Sequence, residues 1–348
     1  MRVVIIQTAF IGDVILSTAL IESLYQAGHT VGYVVKPEAA PLLEKDERIA
    51  ALFVYDKRGK ESGLAGLYAM SKRLRAEQYD AAVIPHRSLR SALLAKVAGI
   101  PRRIGFSASA GKWFLTDTVR YEKFAHEIIR NHQLLSLLGI TGETPLPRIQ
   151  TTAVDEAAAQ AFYNINNVME NALIIGFGAG SKWFTKQWGL NRYSQLAEHI
   201  MSHTEAVIVC FSGKDEQELG EKIKKVNPKI IFNSYLGIRE SIEALKKVAV
   251  VVTNDNGLMH LAAAAGTPVI AIFGPTVPEF GFSPVGDQHT ILQKSLYCRP
   301  CSIHGMNYCP EKHFRCMNEI TPEEVFEVIK KYIIKPPDDY MLYEDDIV

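Results

Sequence analysis

The chain has 348 residues, 47% hydrophobic and 22% charged, with 38 basic side chains against 38 acidic ones. That length and composition predict an ordinary globular protein of two domains, and a formal charge of zero gives no global case for nucleic acid as a partner. No run of about 18 uncharged apolar residues occurs, the start MRVVIIQTAFIGD enters a strand and not a signal peptide, and five cysteines do not make a disulfide scaffold, so a cytoplasmic protein is expected.

Residues 2–7 read as a strand, 8–12 as a loop, 13–26 as a helix and 30–35 as the next strand. Val14, Leu16, Leu20 and Leu24 include helical-face spacings, so the chain opens with a βαβ unit. The alternation continues with a helix near 38–45, a strand near 52–55, a helix at 64–75, a strand at 81–85, a helix at 89–98, a strand at 102–105 and a helix near 124–138. TGETPLPRIQTT, rich in Pro and Thr, is predicted to be a connection. A second set follows, with strands at 173–176, 206–211, 230–233, 250–253 and 269–273 and helices at 193–202, 216–225, 242–248 and 258–265. Two successive sets predict an α/β protein of two doubly wound, Rossmann-like domains facing a cleft, residues 1–168 and 169–348. Thr321, Pro322 and Glu324 are the start signals of a last helix, 321–335, before an acidic tail expected to be solvated and mobile.

The stretch VVTNDNGLMHLAAAAGTPVIAIFGPT, from Val251, is the chain's clearest strand, loop, helix and strand. Asp255 or Asn256 is placed to cap the helix, which Gly266 ends. The helix N-terminus then faces outward at the C-terminal end of a parallel strand, where open α/β sheets bind ligands and free N–H groups favour phosphate. Asp255 and His260 sit at that mouth; the plain structural reading is a cap and a packed imidazole.

Four other features bear on chemistry. Gly12 lets the first loop turn tightly, and Asp13 places a carboxylate at the edge of the first strand, either as a helix-start acid or as a base for a hydroxyl proton. GFGAGSKWFTKQW, from Gly176, is glycine-rich after a strand but closes in no Walker triplet and gives GxGxG instead of GxGxxG. Lys182 and Lys186 could neutralise a diphosphate there, with Lys182 more readily an ordinary exposed lysine. Between His86 and Arg130, nine basic residues (Arg87, Arg90, Lys96, Arg102, Arg103, Lys112, Arg120, Lys123, Arg130) face three acids, and Lys57, Arg58 and Lys60 add a basic loop. Such a surface suits an anionic acceptor or an anionic membrane face, or is simply a solvated face. Cys298, Cys301, Cys309 and Cys316 could form a structural zinc site, or be reduced buried thiols; no catalytic metal and no DxD pair is suggested.

Together these residues resemble glycosyltransferase family 9, the ADP-heptose:lipopolysaccharide heptosyltransferases. The resemblance is carried by Gly12-Asp13, by Asp255-Asn256-Gly257-Leu258-Met259-His260 with the following FGPT, by Lys186-Gln187-Trp188 after the glycine-rich loop, and by CRPC…CP…RC before ITPEEV. Asn256 stands where the family usually has Thr or Ser. The resemblance implies a GT-B fold, with the acceptor in the first domain and the nucleotide-sugar in the second. It implies inverting, metal-independent transfer of heptose from ADP-heptose to the inner core of lipopolysaccharide, with no cofactor, at the inner face of the cytoplasmic membrane. Asp13 would be the general base. Lys186 would stabilise the departing diphosphate, with Ser181 beside it, while Asp255, Asn256, Gly257, Leu258 and His260 hold the donor. Lys57, Arg58, Lys60, Arg87 and Arg90 would meet the anionic acceptor, and Asp215 or Glu216 the nucleotide.

The chemistry agrees: a diphosphate leaving group needs positive charge and N–H donors, and the incoming hydroxyl needs a base on the opposite face. A dehydrogenase would show GxGxxG after the first strand, which QTAFIGD does not. A GT-B-type nucleotide-sugar epimerase and a non-catalytic sugar- or lipid-binding module are the remaining alternatives.

Overall fold

A computed structural model of the chain describes residues 1–213, 217–233 and 235–333. The acidic tail, Asp215 and Glu216 lie outside the described residues. In the first half the order is β1 (Arg2–Ile6), α1 (Ile11–Gln26), β2 (Thr30–Val35), β3 (Ile49–Val54), α2 (Gly63–Ala76), β4 (Ala81–Ile84), α3 (Leu89–Val97), β5 (Arg102–Phe106), β6 (Asp117–Val119) and α4 (Glu127–Gln133). The second half runs α5 (Ala153–Ile165), β7 (Ile174–Gly178), α6 (Leu190–His203), β8 (Val207–Phe211), α7 (Gln217–Val226), β9 (Ile231–Asn233), α8 (Ile238–Leu245) and β10 (Val250–Asn254). It closes with α9 (Gly257–Ala264), β11 (Val269–Phe273), β12 (Thr290–Gln293), α10 (Arg315–Asn318) and α11 (Pro322–Ile333).

The strands form two six-stranded parallel sheets, β3-β2-β1-β4-β5-β6 and β12-β11-β10-β7-β8-β9. Each is the doubly wound order 3-2-1-4-5-6, read in opposite directions. Helices cover both faces, so the central strands are apolar throughout: Val3–Ile6, Val250–Val252 and Val269–Ile272 are fully buried. Register is set by pairs such as Ile5 with Tyr33 and Val83, and Val252 with Phe177 and Ile270. The order of strands reverses between β1 and β4, and again between β7 and β10. Those two switch points, where open sheets receive ligands, lie beneath the loops that carry Asp13 and Asp255. One apolar cluster runs through both sheets by way of α1 and α9, so the two units pack on each other.

Several elements differ from the sequence reading. The helix expected near 38–45 is a 3-10 segment, Pro37–Leu42, because Pro41 removes an N–H that an α-helix there would need. The helix expected near 124–138 starts at the cap His126 and tightens into 3-10 turns at Leu134–Leu138, ended by Gly139 in the left-handed region. Helix α5 follows directly on the connection. Its signal was present in Thr152 and Asp155, whose carboxylate accepts from the Thr152 N–H at 2.7 Å. It packs on α8, where Tyr163 donates to the Ala244 carbonyl and Arg239 pairs with Asp155 at 3.2 Å. The short edge strands β6 and β12 were also not expected; a few residues on a sheet edge carry little periodicity. At the chain's last described helix, Thr321 does cap α11, accepting from Glu324 N–H at 3.2 Å. Among the described residues no helix is long and apolar enough to cross a membrane.

Candidate active site

The first wall of the cleft is the turn from β1 into α1. Asp13 lies in the first turn of α1 and accepts from the Phe10 N–H at 3.1 Å, which closes the helix start. Burial raises the Asp13 carboxyl above the ordinary 3.8, against the Phe10 bond and the charges of His304 and Lys36. A carboxylate raised this way is a stronger proton acceptor than an exposed one.

Gly12 is needed for a reason other than a tight turn. Its φ is not positive. A Cβ there would stand 2.8 Å from Cδ2 of His260, which comes from the second domain. The missing side chain is what lets α1 and α9 meet.

The second wall is built on β7 and β10. Gly178 lies so close to Thr253 that a Cβ would be 2.2 Å from its hydroxyl. Asn254, fully buried, donates to the carbonyls of Ala179 and Gly180 at 2.8 and 3.2 Å and accepts from the Trp188 N–H at 3.1 Å. Trp188 is itself fully buried and donates to Ile320 O. The glycine-rich loop is thus tied to the strand beside it. Of the two cap candidates, Asn256 is the cap: its Oδ1 accepts from Met259 N–H at 3.1 Å, and its Nδ2 donates to Gly180 O at 2.7 Å. Asn is equivalent to Ser and Thr in that role, and such a cap contributes about 1 kcal/mol.

Asp255 is left for other work. Its Oδ2 lies 2.6 Å from Lys186 Nζ and accepts from the Thr276 hydroxyl at 2.7 Å. Both charged groups are about nine-tenths buried. His260 is buried, its imidazole lowered to about 4 chiefly by that burial against the pull of Asp255, and its Nδ1 has no partner among the described residues. Gly257 faces Ile11 across the cleft, Leu258 packs over Gly178, and the Ser181 hydroxyl accepts from Trp183 N–H.

Two neighbours were not expected from the sequence. Phe10 is half-exposed, with Lys36 of its own domain and Lys182 of the other on its ring, 5.5 and 5.0 Å from the centroid. The cysteine-bearing loop packs on the glycine-rich one: Thr185 N–H donates to Met306 O, Met306 N–H donates back to the Thr185 hydroxyl, and a Cβ on Gly305 would meet Trp183 at 2.7 Å. Among the described residues no disulfide joins any of the five cysteines. Among the described residues no group of three or more His, Cys, Asp or Glu side chains is placed to hold a metal ion.

On the first-domain side of the cleft, Lys57 donates to the Thr8 hydroxyl at 2.9 Å, and His86 Nδ1 lies 3.4 Å from the same oxygen. Burial lowers Lys57 to about 8, helped by Lys36, Arg58 and Arg90, and lowers His86 to about 4, helped by Lys57, Lys36 and Arg87. Arg58 and Lys60 are exposed on the same loop. Arg87 stacks on Tyr121, 4.1 Å from the ring centroid. Arg90 is engaged with Tyr55 OH and the carbonyls of Glu61 and Gly63, so it shapes the rim.

The same fold recurs among known proteins. The chain is 28% identical to lipooligosaccharide heptosyltransferase 2 of Haemophilus influenzae over 355 residues, 96% of this chain and 100% of that one. It is 24% identical to lipopolysaccharide heptosyltransferase 2 of Escherichia coli, over 96% of this chain and 99% of that one. Its fold matches a glycosyl transferase family 9 structure from Veillonella parvula with a TM-score of 0.85 at 22% identity, covering 96% and 98% of the two chains. It matches the E. coli ADP-heptose LPS heptosyltransferase II with a TM-score of 0.77 at 20% identity and the same coverage. The two doubly wound units are therefore the halves of a GT-B fold. With residues 67–309 matching the model of glycosyltransferase family 9 (heptosyltransferase), the chain belongs to that family.

Proposed function

We propose that this glycosyltransferase moves heptose from ADP-heptose to a hydroxyl of the inner core of lipopolysaccharide, with inversion and without a metal. The observation that carries the reading is the pair of facing walls. Asp13 lies on one and the Lys186–Asp255–Thr276 group on the other, joined where Gly12 meets His260. The names of the relatives supply the sugar.

In the reaction, the acceptor oxygen attacks the anomeric carbon on the face opposite ADP while Asp13 takes its proton. The bond from that carbon to the diphosphate oxygen breaks, and ADP leaves with the electron pair. Lys186 and the positive end of α9 stabilise the charge that develops on the diphosphate. Asp255 holds Lys186 in place, and Thr276 holds Asp255. Lys57, Arg58, Lys60 and Arg87 give the acceptor mouth its positive charge, matched to an anionic core. Exposed Leu64, Leu89, Trp113 and Phe124 in the same domain suit an acceptor carried at the inner face of the cytoplasmic membrane.

The test is incubation of the full chain with ADP-heptose and a panel of truncated core acceptors, followed by mass. A heptose added to one acceptor supports the proposal. An isomerised sugar nucleotide formed without acceptor would instead identify an epimerase, and no reaction with any acceptor would leave only a binding module.

A further inference from the structure

Arg130 is fully buried although it lies between the two sheets and not within either core. Its guanidinium donates to Glu127 Oε2 at 2.8 Å, to Lys123 O at 3.0 Å and, across the cleft, to Phe280 O at 2.9 Å. It sits between the rings of Tyr121 and Phe282, 4.6 and 5.4 Å from their centroids, one from each domain. Two more bonds cross at the same place. The Glu127 N–H donates to Gly281 O at 2.8 Å, and His126 Nε2 donates to Ser283 O at 2.9 Å. One helical turn of the first domain therefore holds three carbonyls of the loop between β11 and β12. Gly281 makes the approach possible: its φ is +85°, and a Cβ there would lie 2.3 Å from Ala125 O and 2.8 Å from Arg130 Nη2. Thr276 lies near the start of that loop, and its hydroxyl fixes Asp255 and, through it, Lys186.

We propose that Arg130, together with Glu127, is a positioning residue for sugar transfer: it clasps the β11–β12 loop to the first domain and so sets the Lys186–Asp255–Thr276 group opposite Asp13. This rests on the transfer reading above. Arg130 is fully buried, and its guanidinium is engaged by Glu127 and by the carbonyls of Lys123 and Phe280. A planar, five-donor fork suits the role, since it bonds its own helix and the other domain's carbonyl at once. Burial raises the Glu127 carboxyl to about 7 against the pull of Arg130, with the Asp13 charge adding to the rise. Misplacement of reacting groups by about 1 Å costs about 10²-fold in rate, so releasing the clasp acts on transfer more than on donor affinity.

The clasp can be broken from either side, by Arg130→Gln or by Gly281→Ala, in the full-length protein. The first readout needs no substrate: hydrogen exchange of the Glu127 amide, which should be protected in the wild type and lose protection in both variants. The second is single-turnover transfer with separately measured ADP affinity. Each variant should lose about 10²-fold in transfer, with ADP affinity within about threefold, and the double variant should be no worse than the poorer single one, because both remove one interaction. Arg130→Lys, which keeps the charge without the fork, should fall between and serves if Arg130→Gln does not fold. Wild-type transfer with a protected amide in the variants would overturn the proposal, as would losses that multiply in the double variant. Lost protection in variants of a protein that transfers no heptose would leave the clasp standing as an interdomain contact and overturn the transfer reading.

Discussion

Gly12 of the first domain and His260 of the second are in contact, with no room between them for a methyl group. In the proposed mechanism the contact joins the start of α1, which carries the base Asp13, to the helix that faces the diphosphate. Gly12→Ala would push a Cβ to 2.8 Å from a ring that is itself buried, so the domains must shift. Transfer should fall by about 10²-fold while ADP affinity, which the proposed mechanism places in the second domain, stays near wild type. Parallel titration of ADP by calorimetry and single-turnover transfer check this; equal losses in both would show that the contact supports the donor site itself.

Lys186 and Asp255 form a largely buried pair. Lys186→Ala leaves Asp255 with only the Thr276 hydroxyl, and removing one partner of a buried pair costs about 3–5 kcal/mol. Thermal stability should drop, ADP affinity should fall by at least about tenfold, and transfer should fall further. Unchanged melting and ADP binding would mean that the pair does not form in solution.

Lys57 gives the acceptor side a pH signature. Its amine is lowered from 10.5 to about 8, chiefly by burial. The unfolded chain keeps that proton up to about 10.5 and the folded chain only to about 8, so between these values the unfolded state binds more protons and stability rises with pH. Function moves the other way, because the cation is lost above about 8. The KM for an anionic acceptor should rise through that range, and Lys57→Arg should flatten the rise. A wild-type KM independent of pH from 7 to about 9 would count against Lys57 as an acceptor contact.

The hydroxyl of Thr185 both accepts from and donates to Met306, pinning the cysteine-bearing loop to the glycine-rich one. Thr185→Val keeps the shape but removes these bonds, at a cost of about 1–3 kcal/mol where groups are left unpaired. Expected is a higher KM for ADP-heptose with little change in acceptor KM, and no response of either to a chelator. Loss of transfer on chelation with the fold intact would reinstate a metal among the cysteines.

Much of this site was legible because its signals are local. Asp13 and the run from Asp255 to His260 each follow a strand and open a helix, and the strand order puts both at switch points. What the sequence did not disclose depends on contacts between distant segments. Asn254 falls just past the strand expected at 250–253, yet it is a buried tie to residues 179, 180 and 188. Phe10 and Met306 carry no pattern of their own, and Thr276 was only the end of FGPT; each matters through a partner reached only after folding. Arg130 counted among nine basic residues of a positive surface, yet it is buried, because the second domain covers it. Gly12 was read as a turn residue, and only its approach to His260 reveals the reason for glycine.

The most direct measurement is single-turnover transfer from saturating ADP-heptose by wild type and by Asp13→Asn, with ADP-heptose binding followed separately. Asparagine keeps the size and can still accept from Phe10 N–H, and loss of one helix-terminal charge costs about 0.3–1 kcal/mol of stability. It cannot take the acceptor's proton. Transfer should fall by about 10²–10⁴-fold, with donor affinity and folding little changed. Near-wild-type transfer by Asp13→Asn would contradict the assignment and leave Asp13 as a residue that only starts its helix.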